Sequence, residues 1–327
     1  MKSYLLGSIK GLPPRPERPR YFAKLAEKYG GEAGATRSII GPTPVLQVCG
    51  PRLAREVFSS SKHSTKGFFY VPLRPWLGLG LLTASGEKWK IMRRLTTPAF
   101  HFEVLHRFLD VMNEQSEVMI QRLGEHAGKD EIFDVFDYIT ACALDIVCET
   151  AMGKKVNAQA VVGHTEYVEA VYNMSKLIVA RVENPLFISD FIYNLSGSGR
   201  RAAKNLKVLH DFTNKVIRER KALLLAEKDN KEEEVKRRPA FLDILIHAQA
   251  TEEHVITDEN IREEVDTFMF EGLCLTVCFC VCFFTMLTSL SLPFQATTRP
   301  VRLLRGPCTC WEVTLRFKSV FTRKCRR

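Results

Sequence analysis

Cysteine is scarce in most of this chain. Of 10 cysteines, only Cys49, Cys142 and Cys148 precede Gly272, which excludes the disulfide framework of a small secreted protein and predicts a reducing compartment. The later Cys274, Cys278, Cys280 and Cys282 never form a CxxC pair, so the ligand spacing of a tetrahedral zinc site is missing. No zinc-finger spacing, recognition helix or aromatic-basic stacking motif accompanies the net charge of +10, and nucleic acid is set aside as a partner. An internal repeat is absent too, and Met1-Lys2-Ser3-Tyr4 opens no signal peptide.

What is present is an ordinary globular mixture over 327 residues, 46% hydrophobic and 26% charged, enough to bury a core. The basic excess is unevenly placed: Arg299, Arg302, Arg305, Arg316, Lys318, Arg323, Lys324, Arg326 and Arg327 follow Gly272 against the single acid Glu312. Residues 1–20 are a proline-rich lead-in, with Pro13, Pro14, Pro16 and Pro19 excluding regular helix.

Beyond the lead-in the pattern is mainly helical, with a small N-terminal β-sheet. A short amphipathic helix is predicted over Tyr21 to Tyr29. A hairpin follows from Thr36 to Ile40 and Val45 to Cys49, turning at Gly41-Pro42-Thr43-Pro44. Helices are predicted over Arg52 to Phe58, from Glu87 to an interruption at Pro98, and through Val104, Leu105, Phe108, Leu109, Met112, Val118 and Leu123. Asp134 caps the next, which carries buried thiols at Cys142 and Cys148 and stops near Gly153. Others run from Thr165 to Val182, Gly199 to Leu225 and Ala240 to Ala248; the charge run Glu227 to Arg238 reads as a solvated loop. Thr257, followed by Asp258 and Glu259, opens the last helix.

Trp89 and Arg93 stand four apart on a helix. They share a face, so an indole N–H and a guanidinium can reach one anionic group; a core tryptophan beside a surface arginine has the same spacing. Around them lie Pro75-Trp76-Leu77-Gly78-Leu79-Gly80-Leu81-Leu82, Pro98-Ala99-Phe100-His101-Phe102, Leu144-Asp145-Ile146-Val147-Cys148-Glu149-Thr150-Ala151-Met152-Gly153 and Asp266-Thr267-Phe268-Met269-Phe270-Glu271-Gly272. In this order the segments resemble a family 4 cytochrome P-450 over most of residues 21–272. The resemblance implies the N-terminal portion of that fold, ending in its central helix, and heme as cofactor. Trp89 and Arg93 would hold a heme propionate. Glu271 would lie over the macrocycle, where such a glutamate can form an ester to a heme methyl; by sequence alone it also reads as a solvent-facing acid at a helix end.

The resemblance further implies a monooxygenase acting on apolar, fatty-acid-like small molecules, with NADPH-cytochrome P-450 reductase as electron donor, on the cytosolic face of the endoplasmic reticulum membrane. After Gly272 the chain departs from it. Leu273-Cys274-Leu275 replaces the family's His-Asp-Thr, and Cys308, Cys310 and Cys325 lack the glycine frame of the axial ligand. The expectation is a chain without an intact catalytic set or axial cysteine, and inactive as it stands. Residues 273–295 form an apolar, cysteine-rich insert that reads as translated intron, or alternatively as an anchor tethering a non-catalytic protein to a membrane. Residues 296–327 read as a basic, frame-shifted tail without regular packing.

Overall fold

The computed structural model describes residues 11–273 apart from 12, 15–16, 32–33, 41–42, 61–64, 130–132, 161–164, 228–239 and 252–255, together with the backbone of 303–305 and 311–315. The charge run after Glu227 and nearly all of the 273–295 insert therefore lie outside the described residues. Two compact units emerge, one from residues 1–72 and 178–199, the other from 73–177 and 200–327.

The first unit holds helix α1 (Arg18–Tyr29), the antiparallel pair β1 (Ala35–Ile40) and β2 (Thr43–Val48), and α2 (Pro51–Ser59). The hairpin is tighter than the sequence suggested. Thr43 and Pro44 are already strand, with Pro44 opposite Ile39, because alternation of side chains sets the register rather than the proline signal alone. Close approach of Gly34 and Gly50 shapes the sheet's open end: Gly34 has φ +62°, and its carbonyl accepts the Cys49 and Gly50 amides at 2.7 and 2.8 Å. In the same unit, Arg181 organises the turn into α8 (Asp190–Leu195). Its guanidinium stacks 4.2 Å over Tyr193, donates to the Phe187 carbonyl at 3.1 Å and pairs with Asp190.

The second unit is built from α3 (Arg74–Leu77), α4 (Gly86–Thr96), α5 (Phe102–Gly124), the short strand β3 (Phe133–Asp134) and α6 (Val135–Thr150). To these it adds most of α7 (Glu166–Glu183) and α9 (Gly197–Glu227), α10 (Phe241–Thr251) and α11, described over 258–273. Pro98 separates α4 from α5 through a 3-10 turn, Thr97–Phe100, as its missing N–H requires. Asp134 caps α6 as expected, its carboxylate accepting the Phe136 amide at 2.9 Å. At the head of α11 the cap is reciprocal. The Thr257 hydroxyl accepts the Asn260 amide and the Asn260 side chain accepts the Thr257 amide, both at 3.2 Å.

The core gathers around α11. Ile261, Val265 and Met269 are buried on it, and Phe268 meets Phe241 of α10 at 4.0 Å between ring centroids. Phe270 meets Trp76 edge-on at 5.0 Å. A side chain at Gly272 would collide with Val147 of α6, so glycine there permits the close crossing of α6 and α11. Cys142 and Cys148 are both buried, the Cys148 thiol 3.9 Å from the Met269 sulfur; burial raises its pKa well above the ordinary thiol range.

Within the tail, structure departs from the expectation of irregular chain. Backbone strands β4 (Leu303–Arg305) and β5 (Trp311–Leu315) pair antiparallel, and β5 pairs in turn with β3, Phe133 opposite Leu315. Trp311-Glu312-Val313-Thr314-Leu315 combines aromatic and β-branched residues, the composition that fits a pleated surface.

Candidate functional site

Trp89 and Arg93 share one face of α4. The guanidinium lies over the indole at 5.2 Å, with Trp89 half-buried and Arg93 exposed, within reach for a cation–π contact. The stack leaves a flat cationic surface suited to a carboxylate. One helical step round, Lys88 and Met92 turn toward the interior, and the Lys88 ammonium sits 2.7 Å from the carboxylate of Glu263 on α11.

Glu263 collects donors from three elements. Besides Lys88 it accepts the Leu79 amide at 2.8 Å and the Asn260 side chain at 3.3 Å. The segment between α3 and α4 lies against α11 through two glycines. Gly78 has φ +53°, and a Cβ on it would overlap the Glu263 carboxylate; one on Gly80 would overlap Thr267 and the Glu263 backbone. The Trp76-to-Leu82 segment was legible as part of the resemblance. Its glycines' reason was not, since the partner lies 184 residues away from Leu79.

Two acids missed by sequence reasoning follow. Glu264 is 1% exposed and Asp266 fully buried. Glu264 takes the Leu81 amide, while its Oε2 has no hydrogen-bond partner among the described residues. Burial pushes its carboxyl up to about 7, against the Leu81 hydrogen bond and with help from the charge of Glu263. Asp266 receives Arg262 at 2.9 Å, yet its Oδ1 also lacks a partner among the described residues. Burial raises this carboxyl to about 7 as well, opposed by Arg262 and by the Thr213 hydroxyl. His210 of α9 completes the cluster, its Nε2 3.0 Å from the Trp76 carbonyl, 2.9 Å from Arg262 and 3.6 Å from Asp266. Burial lowers its pKa, the Trp76 carbonyl pulling the other way. The sequence offered little signal, since Glu263-Glu264-Val265-Asp266 follows Asp258, Glu259 and Arg262 in the charged first half of the helix, where acids read as a solvated face.

Glu271 stands half-buried on the same helix, two turns beyond Glu264, whose carboxyl it helps to raise. Helical spacing separates 264 from 271 by seven residues and so puts both on one face.

Comparison with known proteins decides the family. The cytochrome P450 family model matches residues 2–286. The chain belongs to the cytochrome P450 family. Among its curated relatives are several of the family 4 type. It is 46% identical over 239 residues to cytochrome P450 4V2 of Rattus norvegicus, covering 71% of this chain and 45% of that protein. Identity is 42% over 256 residues to cytochrome P450 4c3 of Drosophila melanogaster, covering 75% and 47%, and 40% over 261 residues to cytochrome P450 4c21 of Blattella germanica, covering 78% and 51%. The chain spans about half the length of the curated relatives it matches.

Membership makes heme the implied cofactor, and the described residues fit one part of that group. The Trp89–Arg93 stack, with its guanidinium exposed, suits the carboxylate edge. Iron is not matched by any described cysteine: Cys142 donates to the Gln115 carbonyl at 3.5 Å inside the helical core, Cys148 is sealed against Met269, and Cys49 lies on the exposed end of the hairpin. No cluster of three metal-ligating side chains occurs among the described residues. Cys274, Cys278, Cys280, Cys282, Cys308, Cys310 and Cys325 lie outside them.

Proposed function

We propose that this chain carries the propionate-binding and central-helix portion of a heme-thiolate monooxygenase that hydroxylates fatty-acid-like or other apolar substrates, with NADPH-cytochrome P-450 reductase as electron donor. The observation that carries the reading is the Trp89–Arg93 stack on α4 in a chain of this family. Heme, when bound, supplies the one-electron and dioxygen chemistry. Trp89 and Arg93 would orient it through a propionate. Glu271, on the face of α11 shared with Glu264, would face the macrocycle, and the Phe268, Phe270 and Trp76 rings around α11 would exclude water.

The same reading takes residues 273–295 as translated intron. Gln295 can close a CAG acceptor, and Gly272 as GGT contains a donor GT. The chain as given then lacks the thiolate ligand, which restoring the frame after Gly272 is expected to supply. The test is a reduced carbon-monoxide difference spectrum of both proteins. The restored chain is expected to give the thiolate-type Soret band and to oxidise a fatty acid with reductase and NADPH, while the given chain does neither. A restored chain that folds but gives no such band overturns the reading.

A membrane surface belongs to the proposal because of Leu186, Phe191, Ile192 and Leu195 in the first unit, exposed by 46% to 74%. Side chains of this size in one short segment form a surface apolar enough to enter a lipid interface. No helix among the described residues is long and apolar enough to cross a membrane, and the tethering alternative rests on residues outside them. Flotation with phosphatidylcholine vesicles is expected to carry the chain upward and to weaken in Phe191→Ser; unchanged flotation in that variant removes this surface from the proposal.

A further inference from the structure

We propose that Glu263 is a positioning residue that fixes the rotation of α4, and with it the direction in which Trp89 and Arg93 face, while holding the Trp76-to-Leu82 segment on α11. The inference deepens the proposed function, since it rests on α4 being the cofactor-facing helix.

The argument begins with the shape of α4. Successive residues are turned by about 100° on a helix, so Lys88 and Met92 define one stripe and Trp89 and Arg93 the next. Met92 and Thr96 are buried and Arg93 is exposed. Apolar contact alone sets this rotation loosely, because small aliphatic surfaces tolerate sliding. The ion pair from Lys88 to Glu263 at 2.7 Å sets it sharply, since a charge-assisted hydrogen bond is short and directional. It is also sheltered: the Glu263 side chain is 8% exposed and that of Lys88 34%.

Glu263 is itself immobilised. Its Oε1 takes the Leu79 amide and its Oε2 takes Lys88 and Asn260, so each carboxylate oxygen has a separate task. Its backbone carbonyl accepts the Thr267 hydroxyl at 2.8 Å. Glycine at 78 lets the segment come down onto this carboxylate, and glycine at 80 lets it meet Thr267 and the Glu263 backbone; a Cβ at either position would collide. One residue thus ties the preceding loop and α4 to the helix that carries Glu271. No described contact requires an acid at 263 for packing. An aliphatic residue would fill the space but would leave the Leu79 amide and the Lys88 ammonium without their acceptor.

The division between the two oxygens gives the test, read by residue-resolved hydrogen–deuterium exchange on the full chain. Glu263→Gln keeps a carbonyl for the Leu79 amide and loses the charge that holds Lys88. Exchange along α4 is expected to rise about tenfold while Leu79 changes less than about twofold. Lys88→Met should reproduce the α4 effect alone, and Glu263→Ala should expose both. Amides of α6 serve as the control for global unfolding. If Glu263→Ala loosens α6 as well, Lys88→Met decides, because its half-exposed side chain can be truncated without opening the core. Equal protection of α4 in wild type, Glu263→Gln and Lys88→Met overturns the proposal. Arg93→Ala is expected to leave both exchange signals unchanged. The α4 exchange signal therefore tests the positioning role by itself, and the carbon-monoxide difference spectrum of the frame-restored chain tests the cofactor reading.

Discussion

The second unit buries acids in two ways. Asp145 and Asp243 are matched. Asp145 accepts the Ala158 and Gln159 amides at 2.6 and 3.0 Å, and Asp243 takes Arg220 through two nitrogens at 2.6 and 2.7 Å plus the Ala240 amide at 2.8 Å. Glu264 and Asp266 are equally buried but leave one oxygen each without a partner among the described residues. Burial of an ionised carboxylate is tolerable when its oxygens are hydrogen-bonded and costly when they are not. The first pair therefore serves the fold, clamping α6 to its following turn and α9 to α10. The second pair taxes the fold at the helix that carries the proposed site, the pattern expected where structure is held for chemistry.

The largest effect should come from breaking a matched acid. Asp243→Ala leaves Arg220, 4% exposed, as a buried cation without its carboxylate, the Gly153 carbonyl at 3.5 Å remaining, and is expected to cost about 3–5 kcal/mol in urea denaturation. A loss under about 1 kcal/mol would mean that water replaces the carboxylate, and the contrast between the two pairs would collapse.

Removing an unmatched acid should act in the opposite direction. Both folded-state carboxyls titrate near 7, above their ordinary values near 4. Below that ordinary range folded and unfolded chains are both protonated and no penalty exists. As pH rises toward 7 the unfolded chain releases protons that the folded chain retains, so stability falls, and above 7 the full penalty is present. Glu264→Gln is therefore expected to stabilise the chain at pH 8 by an amount on the order of 1–3 kcal/mol and to flatten the decline between pH 4 and 7. A variant less stable than wild type at pH 8 would show that Glu264 is matched after all. Asp266→Asn should gain less, because Arg262 loses the carboxylate it now holds at 2.9 Å.

How much of this the sequence carried depends on the range of the interaction. Local rules placed the helices, the Asp134 cap, the Pro98 break and the shared face of Trp89 and Arg93, since each is decided within a few residues. The buried acids escaped because their meaning is set by distant partners: Leu79 and Leu81 for Glu263 and Glu264, Trp76 and His210 for the Asp266 cluster. By helix periodicity alone Glu263-Glu264 is a pair of surface acids. The glycines at 78 and 80 were visible, yet nothing local says that they make room for α11, Gly78 for the Glu263 carboxylate and Gly80 for Thr267 and the Glu263 backbone. In the tail, local β-propensity at Trp311-Glu312-Val313-Thr314-Leu315 outweighed the impression of disorder left by scattered arginine and proline.

The smallest stability effect should belong to the residue with the clearest proposed role. Arg93 is exposed, and its contact with Trp89 is a surface cation–π pair, so Arg93→Ala is expected to change unfolding stability by no more than about 0.5–1 kcal/mol. In the frame-restored protein the same substitution is expected to weaken heme retention by about tenfold or more, because it removes a charge-assisted partner of a propionate. Calorimetry and a heme-transfer assay to apomyoglobin measure the two quantities separately. If stability and retention fall together, Arg93 belongs with Asp243 among the residues that serve the fold. A large loss of retention on an unchanged melting profile places it with the side chains kept for the ligand, and sets the exposed stack on α4 apart from the matched interior that supports it.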